Sequence, residues 1–368
     1  MTDAITLSDT LRRDSENFLP RRRVGRTALF ATELGLGAAP LGNLYTPMSD
    51  AAARATVDAA LQAGFCYIDT APYYGFGLSE ERLGAALCGR ADVVISTKVG
   101  RLLQSDPTVK DDSLRCGFRS PMPFRPIYDY SYDGVMRSWV GSLVRLGLPR
   151  VDILYVHDIG RVTHPSTHAQ MFHQLTKDGG LRALAELRAS GQITAFGIGV
   201  NEIQACLDVL ENADLDVILL AGRYTLLEQE ALDVLLPECS RRGTSIVIGG
   251  PYNSGILATG TRAGSQPRFN YELASPQVIS RVRRIESVCQ RYDVSLAAAA
   301  LQFPLAHPQV AAVVPGLGKP ERVAETVGLF RAPIPGEFWR DLKSQGLLRS
   351  DEPTPDAAAT RSPASGRL

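Results

Sequence analysis

The chain has no charge of one sign in excess: Lys and Arg together number 39, Asp and Glu together number 39, and the formal net charge is zero. With no net field to draw nucleic acid or an anionic membrane, the expected partner is a small molecule. The six cysteines, Cys66, Cys88, Cys116, Cys206, Cys239 and Cys289, form no C-x-x-C pair. Scattered along 368 residues, they read as reduced, mostly buried thiols in a cytoplasmic protein rather than as a disulfide framework. No run approaches the roughly 20 apolar residues needed to span a bilayer, and residues 1–20 are polar with no apolar core for export. Neither a G-x-x-x-x-G-K-[ST] phosphate loop nor an H-E-x-x-H zinc helix occurs. His164 and His168 are four apart, with His173 close by, but their stretch begins His-Pro and lacks that glutamate, so no metal site is expected there.

What the chain does have is ordinary globular material, 45% hydrophobic and 21% charged, enough for a large core. Eight short β-rich apolar runs stand at 34–38, 66–69, 93–98, 151–157, 193–200, 217–220, 245–248 and 310–314. Each is followed by a segment with helical periodicity, at 51–63, 79–87, 135–146, 181–189, 203–210, 228–240, 276–292 and 321–330. Alternation with nearly all-apolar strands implies a parallel sheet covered by helices, and eight units favour closure into a (β/α)8 TIM barrel. The expected layout is an N-terminal extension at 1–20, one barrel domain at 21–347, and a frayed tail at 348–368 rich in Pro, Ala, Ser and Thr.

Punctuation agrees with that layout. Gly64 can end the first helix, Ser79 can cap the second with Glu80 and Glu81 in its first turn, and Ser275-Pro276 opens the seventh. The apolar run 296–305 reads as an extra helix without a place in the alternation, and the run Arg21, Arg22, Arg23 as a solvated turn. Three long stretches, 100–130, 158–178 and 249–274, follow the C-terminal ends of strands, where barrel enzymes build their sites, and are expected to shape a substrate pocket.

Polar residues interrupt three strand ends. Asp69 closes the second run, Lys98 the third and His157 the fourth, and Tyr74 follows Asp69 by five residues. In a barrel such ends converge on one mouth, so distance along the chain is no obstacle to contact. Together they make a proton-transfer device. A lysine ammonium beside a phenol stabilises phenolate and lowers a pKa that is ordinarily about 10, an aspartate holds the lysine charged, and a histidine can hydrogen-bond a substrate oxygen.

Three stretches, G-F-C-Y-I-D-T-A-P-Y-Y-G at 64–75, V-V-I-S-T-K at 93–98 and V-D-I-L-Y-V-H at 151–157, resemble the aldo-keto reductases in order and spacing, and the likeness runs from about residue 25 to 335. The resemblance implies Asp69, Tyr74, Lys98 and His157 as a catalytic tetrad with Tyr74 as acid and base; Tyr73, next door, is the rival for that role. It also implies an extended nicotinamide cofactor across the barrel mouth without a Rossmann fold, and G-L-G-A-A-P at 35–40 reads as ordinary barrel packing. The segment V-V-P-G-L-G-K-P-E-R-V-A-E-T at 313–326 resembles the family's adenosine-binding strand and helix. There Arg322 and Glu325 match polar contact positions, and Thr326 stands where many members carry Asn. Gly316 occupies a place where NADPH-preferring members often have a lysine, so NAD is preferred over NADP. Gly249 lies where many members stack an aromatic on nicotinamide, with Tyr252 nearby, and Ala221 where an amide side chain often binds the carboxamide, which leaves Asn201 as the candidate for that contact.

The implied activity is NAD(P)-dependent oxidation of a small molecule. G-L-G-A-A-P-L-G-N-L-Y at 35–45, V-H-D-I-G-R-V-T-H at 156–164 and A-G-R-Y-T-L-L at 221–227 are similar to the aldose and pyridoxal dehydrogenase branch. That implies oxidation of an aldose such as L-fucose or a D-threo-aldose at C1 to the lactone. Pyridoxal oxidation, or general aldehyde reduction, is the alternative. A cofactor-binding regulatory subunit without a substrate is a further reading, which the intact tetrad opposes.

Overall fold

Strand alternation decides where side chains go. The computed structural model describes residues 19–90, 92–261 and 266–355. Eight strands, β1 (Leu36–Gly37), β2 (Tyr67–Asp69), β3 (Val94–Val99), β4 (Ile153–His157), β5 (Ala195–Val200), β6 (Val217–Ala221), β7 (Ser245–Gly249) and β8 (Val310–Val314), pair in sequence order, all parallel. Parallel bridges Leu34–Val313 and Gly37–Gly316 join the first strand region to the last and close the barrel. Successive residues then face the lumen and the helix layer by turns. Tyr67, Val94, Ile153, Tyr155, Ala195, Val217, Leu219, Val247, Ala312 and Val314 pack together inside, while Ile68, Ile95, Leu154, Val156, Ile198, Ile218, Ile246 and Val313 pack outward. Carrying the same period to the strand ends puts Asp69, Lys98 and His157 on the lumen side.

The covering helices are α1 (Asp50–Gln62), α2 (Leu78–Leu87), α3 (Tyr132–Leu146), α4 (Gly180–Ala189), α5 (Ile203–Leu210), α6 (Leu235–Arg242), α7 (Pro276–Arg291) and α8 (Pro320–Arg331). Ser275 caps α7 by accepting from the Val278 amide, as expected. Ser79 does not cap α2: Gly77 is the N-cap, and the Ser79 hydroxyl donates to the Ala38 carbonyl at 2.8 Å. The run expected as one helix from 228 to 240 breaks into a 3-10 turn, Glu230–Leu232, and α6. Pro237, lacking an amide hydrogen, sits in the first turn of α6, where none is required. The extra helix, Leu296–Gln302, leads through a 3-10 turn into β8.

Arg21, Arg22 and Arg23 are not a solvated turn. They form one strand of an antiparallel hairpin with Phe30–Thr32 at the N-terminal end of the barrel, whose Val24 and Ala31 plug the lumen. Arg22 is the reason the run is held: it donates to Glu33 at 2.7 Å and to the carbonyls of Leu305 and Val310, each at 2.8 Å. Of the expected extension 1–20, all but Leu19 and Pro20 lies outside the described residues, as does the expected tail beyond residue 355. Residues 348–355 lie against the barrel, with Leu348 and Glu352 buried.

The three long stretches are built. Within 100–130, strands Arg101–Ser105 and Phe124–Tyr128 pair antiparallel around a smaller hairpin, Leu114–Arg115 with Phe118–Arg119. The second stretch carries a helix, His168–Thr176, and the third a hairpin, Arg268–Phe269 with Glu272–Leu273.

Candidate active site

Lys98, at the end of β3, is 1% exposed, and its Nζ donates to Asp69 Oδ2 at 2.7 Å, to the Thr70 carbonyl at 2.8 Å and to the Tyr74 hydroxyl at 3.2 Å. The second Asp69 oxygen accepts from Ser96 at 2.7 Å. All three ammonium hydrogens therefore have partners, which fixes the cation in place. Tyr74 is delivered by a tight turn after β2, in which its amide bonds the Ala71 carbonyl at 3.1 Å and its carbonyl accepts from the Ser79 amide at 3.2 Å. Gly75, with φ +64, lets that turn press directly on Gly42.

His157, at the end of β4, faces Tyr73 and Tyr74 edge-on at 6.1 and 6.2 Å between ring centroids. Its Nδ1 is buried without a hydrogen-bond partner. The four expected residues are thus brought together, and it is Tyr74, not Tyr73, that reaches the ammonium. Tyr73 instead lies under Arg101, whose guanidinium carbon is 4.3 Å from its ring centre.

The electrostatics follow from burial. Burial opposes the Lys98 charge, but Asp69 and Tyr74 outweigh it and hold the ammonium above its ordinary pKa. Burial pushes the Asp69 carboxyl up against the pull of Lys98 and Ser96. Burial, together with the Arg101 and Lys98 charges, holds His157 well below its ordinary value, so the ring is neutral at physiological pH. The Tyr74 phenol corrects the sequence expectation: Lys98 pulls its pKa down, but burial, helped by Asp69, wins, and the phenol sits above its ordinary value.

Tyr74, Lys98 and His157, with Asp69 behind Lys98, line a cavity of about 460 Å³ whose walls include Tyr45, Phe118, Cys116, Arg101, Asp158 and Tyr271. Sequence reasoning missed Arg101 and Asp158, which form an ion pair, as well as the aromatic walls. Asp158 directly follows His157, so the logic that picked out strand-end Asp69 was available for it. Arg101 sat in what read as loop. A wider groove of about 560 Å³ lies between α7 and residues 346–347, lined by Arg281 and Arg284, and holds none of the expected residues.

The expected cofactor positions are spread out. Asn201, after β5, is on the cavity wall, and its side-chain amide bonds none of the described residues. Gly249 is buried at the end of β7, where a Cβ would come within 3.1 Å of Leu219. Gly316, beyond β8, and Arg322 and Glu325, on α8, are exposed and outside the cavity, with Arg322 and Glu325 paired to each other at 2.9 Å. Thr326 turns its hydroxyl onto the Arg322 carbonyl at 2.6 Å. Tyr252 is outside the cavity as well, and Arg322 acts on its phenol, which burial pushes up to about 12. A nicotinamide group fits these residues: Gly199 and Ala221 put no large side chain on the cavity wall, and the Asn201 amide has the donor and acceptor that a carboxamide needs. At the start of α8 the N-cap Lys319 makes no side-chain cap, Pro320 has no amide hydrogen, and the Arg322 and Val323 amides already bond the Lys319 carbonyl at 3.1 and 3.4 Å.

The three histidines go separate ways. His164 bonds the Tyr130 hydroxyl at 2.9 Å, His168 bonds Arg161 at 2.9 Å, and His173 lies 3.4 Å from Asp178.

Comparison with known proteins bears on this geometry. Residues 33–346 match the model of the aldo/keto reductase family. Pyridoxal 4-dehydrogenase of Microbacterium luteolum is 48% identical over 336 residues, covering 89% of this chain and 98% of that protein. D-threo-aldose 1-dehydrogenase of a Pseudomonas species is 39% identical over 326 residues, covering 88% and 95%. Among solved structures, the holo form of an aldo-keto reductase from Bacillus halodurans superposes with a TM-score of 0.69 at 25% identity, covering 90% of this chain and 97% of that one.

Proposed function

The chain belongs to the aldo/keto reductase family and is an NAD(P)-dependent oxidoreductase, and from that premise we propose that it oxidises the hemiacetal carbon of pyridoxal or of an aldose to a lactone, with NAD and with Tyr74 as acid and base. The two substrates share one chemistry. An aldose closes on its own hydroxyl, and pyridoxal closes its aldehyde on the neighbouring hydroxymethyl group, so both present a ring carbon bearing O–H and C–H. We place pyridoxal ahead of the aldose expected from sequence, because of the higher identity to its dehydrogenase and because Tyr45, Tyr73, Phe118 and Tyr271 give the cavity aromatic walls suited to a flat ring.

The observation that carries the reading is the 3.2 Å contact between Lys98 Nζ and the Tyr74 hydroxyl. When bound, the nicotinamide dinucleotide supplies the hydride acceptor. In the oxidative direction, Tyr74 phenolate takes the hydroxyl proton as the C–H electron pair leaves and the carbonyl forms. Lys98 stabilises the phenolate, Asp69 keeps Lys98 charged and aimed, and neutral His157, on the cavity wall, hydrogen-bonds the substrate oxygen. The preference for NAD rests on Gly316, which brings no cation to a 2'-phosphate.

The test is purified protein with NAD and, separately, pyridoxal, L-fucose and a D-threo-aldose, followed by absorbance of the reduced cofactor. Tyr74→Phe should lower turnover by about 10²- to 10⁴-fold while cofactor still binds, and Tyr73→Phe should keep most of it. A Tyr74→Phe protein as active as the parent would overturn the assignment. Gly316→Lys should improve use of NADP relative to NAD, and an unchanged ratio would remove the basis for the preference.

A further inference from the structure

Arg101 is a buried cation with donors to spare. It is 5% exposed and lines the cavity beside His157 and Tyr73. Only one terminal nitrogen is hydrogen-bonded among the described residues, to Asp158, and its Nε is buried with no partner. A guanidinium carries five N–H donors, and a buried donor left empty is disfavoured unless something else fills it. Its guanidinium carbon lies 4.3 Å from the centre of the Tyr73 ring and 5.5 Å from that of Tyr128, so two aromatic faces and Asp158 hold the group in place. Asp158, which holds it, adopts a left-handed backbone at φ 47, a conformation a non-glycine residue keeps only when its surroundings enforce it. The mechanism above uses neither residue.

We propose that Arg101 determines substrate choice by binding an acidic ring hydroxyl beside the reacting carbon, so that the cavity selects an aromatic hemiacetal of the 3-hydroxypyridine type over an aldose. The inference rests on the hemiacetal-oxidising reading and sharpens it. A hydrogen bond from a guanidinium to an ionised phenol is roughly twice as strong as one to a neutral hydroxyl. An aldose offers only neutral hydroxyls at the corresponding place, whereas the pyridoxal ring carries such a phenol next to its aldehyde-bearing carbon. Tyr73 and Phe118, edge-on to each other at 5.6 Å, form the apolar wall alongside. A guanidinium that only tied its loop to Asp158 would not distinguish one substrate from another.

The test uses Arg101→Gln and Arg101→Lys in the full chain, with pyridoxal, its 3-O-methyl ether and L-fucose as substrates. Binding of non-reacting 4-deoxypyridoxine and its 3-O-methyl ether is measured by calorimetry. The parent should prefer the free hydroxyl by about tenfold or more in both kcat/KM and affinity. Arg101→Gln should lose that preference, chiefly through KM, with a smaller loss on L-fucose, and Arg101→Lys should keep part of it. If Arg101→Gln weakens all ligands alike, or the parent binds the ether as well as the phenol, the proposal is overturned. If the parent oxidises none of the substrates, the reading of function fails, while the binding arm still decides the role of Arg101.

Discussion

Gly42 and Gly75 meet backbone to backbone: a Cβ on Gly75 would lie 2.4 Å from the Gly42 carbonyl oxygen, and one on Gly42 would lie 2.5 Å from the Tyr74 carbonyl carbon. This contact locks the turn that presents Tyr74. Gly75→Ala adds both a clash and a strained positive φ, and should cost about 1–3 kcal/mol. It should lower turnover at least tenfold by shifting the phenol. Gly328→Ala, in the exposed middle of α8 with nothing within 4 Å of the new methyl, should instead stabilise by about 0.5–1 kcal/mol and leave activity alone. Thermal melts and initial rates on the pair check both statements, and equal activity of Gly75→Ala and parent would show that the turn is not clamped.

The pH profile should report the Tyr74 phenol. Its pKa in the folded protein is above the ordinary value because burial and Asp69 outweigh Lys98. Oxidation requires phenolate, so kcat/KM for oxidation should climb through pH 7 to 10, whereas aldehyde reduction, which uses the protonated phenol, should stay flat. Lys98→Met removes the opposing cation, raises the phenol further, and should lower oxidation at pH 7 by about 10²- to 10⁴-fold. An oxidation optimum near pH 6 would contradict this.

Much of the site could be read from sequence because strand alternation is a local rule. Asp69, Lys98 and His157 end three consecutive strands, and a period of two sends all three inward once the barrel closes. What escaped reading depends on contacts between distant segments. Arg101 becomes part of the wall only because residues 101–105 pair with 124–128, and nothing in its own neighbourhood announces that pairing. Arg22 looked solvated because its carbonyl partners lie more than 280 residues away. Ser79 has the chemistry of a cap, but Ala38 and Thr70 claim its hydroxyl first. The height of the Tyr74 pKa was missed for another reason: neighbouring charges can be guessed from sequence, while the depth of burial cannot.

Arg22 offers a separation of stability from chemistry. It ties the plugging hairpin to the segment entering β8, at the end of the barrel opposite the cavity. Arg22→Ala removes the donor to the buried carbonyls of Leu305 and Val310 and should destabilise by about 1–3 kcal/mol in urea unfolding. Rates per folded molecule should stay within twofold of the parent, and a large loss of kcat would mean that the two ends communicate.

Glu352 should act as a pH-dependent anchor for residues 348–355. It is 1% exposed, accepts a short hydrogen bond from the Tyr224 hydroxyl, and its other oxygen has no partner. Burial, against the pull of that hydrogen bond, lifts its carboxyl to about 7. The folded state therefore holds the proton more tightly than the unfolded chain, whose glutamate titrates at about 4.3. The stabilisation is complete below that ordinary value and is lost as pH rises through about 7. The other ionisable groups around it do not produce the same window. His307, whose ring is 5.9 Å from that of Tyr224, is held below its ordinary pKa by burial and Arg22, and the Tyr224 phenol is raised. Lys343 donates to the backbone carbonyls of Glu352, at 2.6 Å, and Ser350, at 3.3 Å, not to the Glu352 carboxylate. Hydrogen exchange at 348–355 should accordingly quicken between pH 6 and 8 beyond the intrinsic chemical rate. In Glu352→Gln, which has no proton to lose, that excess should vanish. If the variant keeps the same excess, Glu352 is not the group that releases the segment.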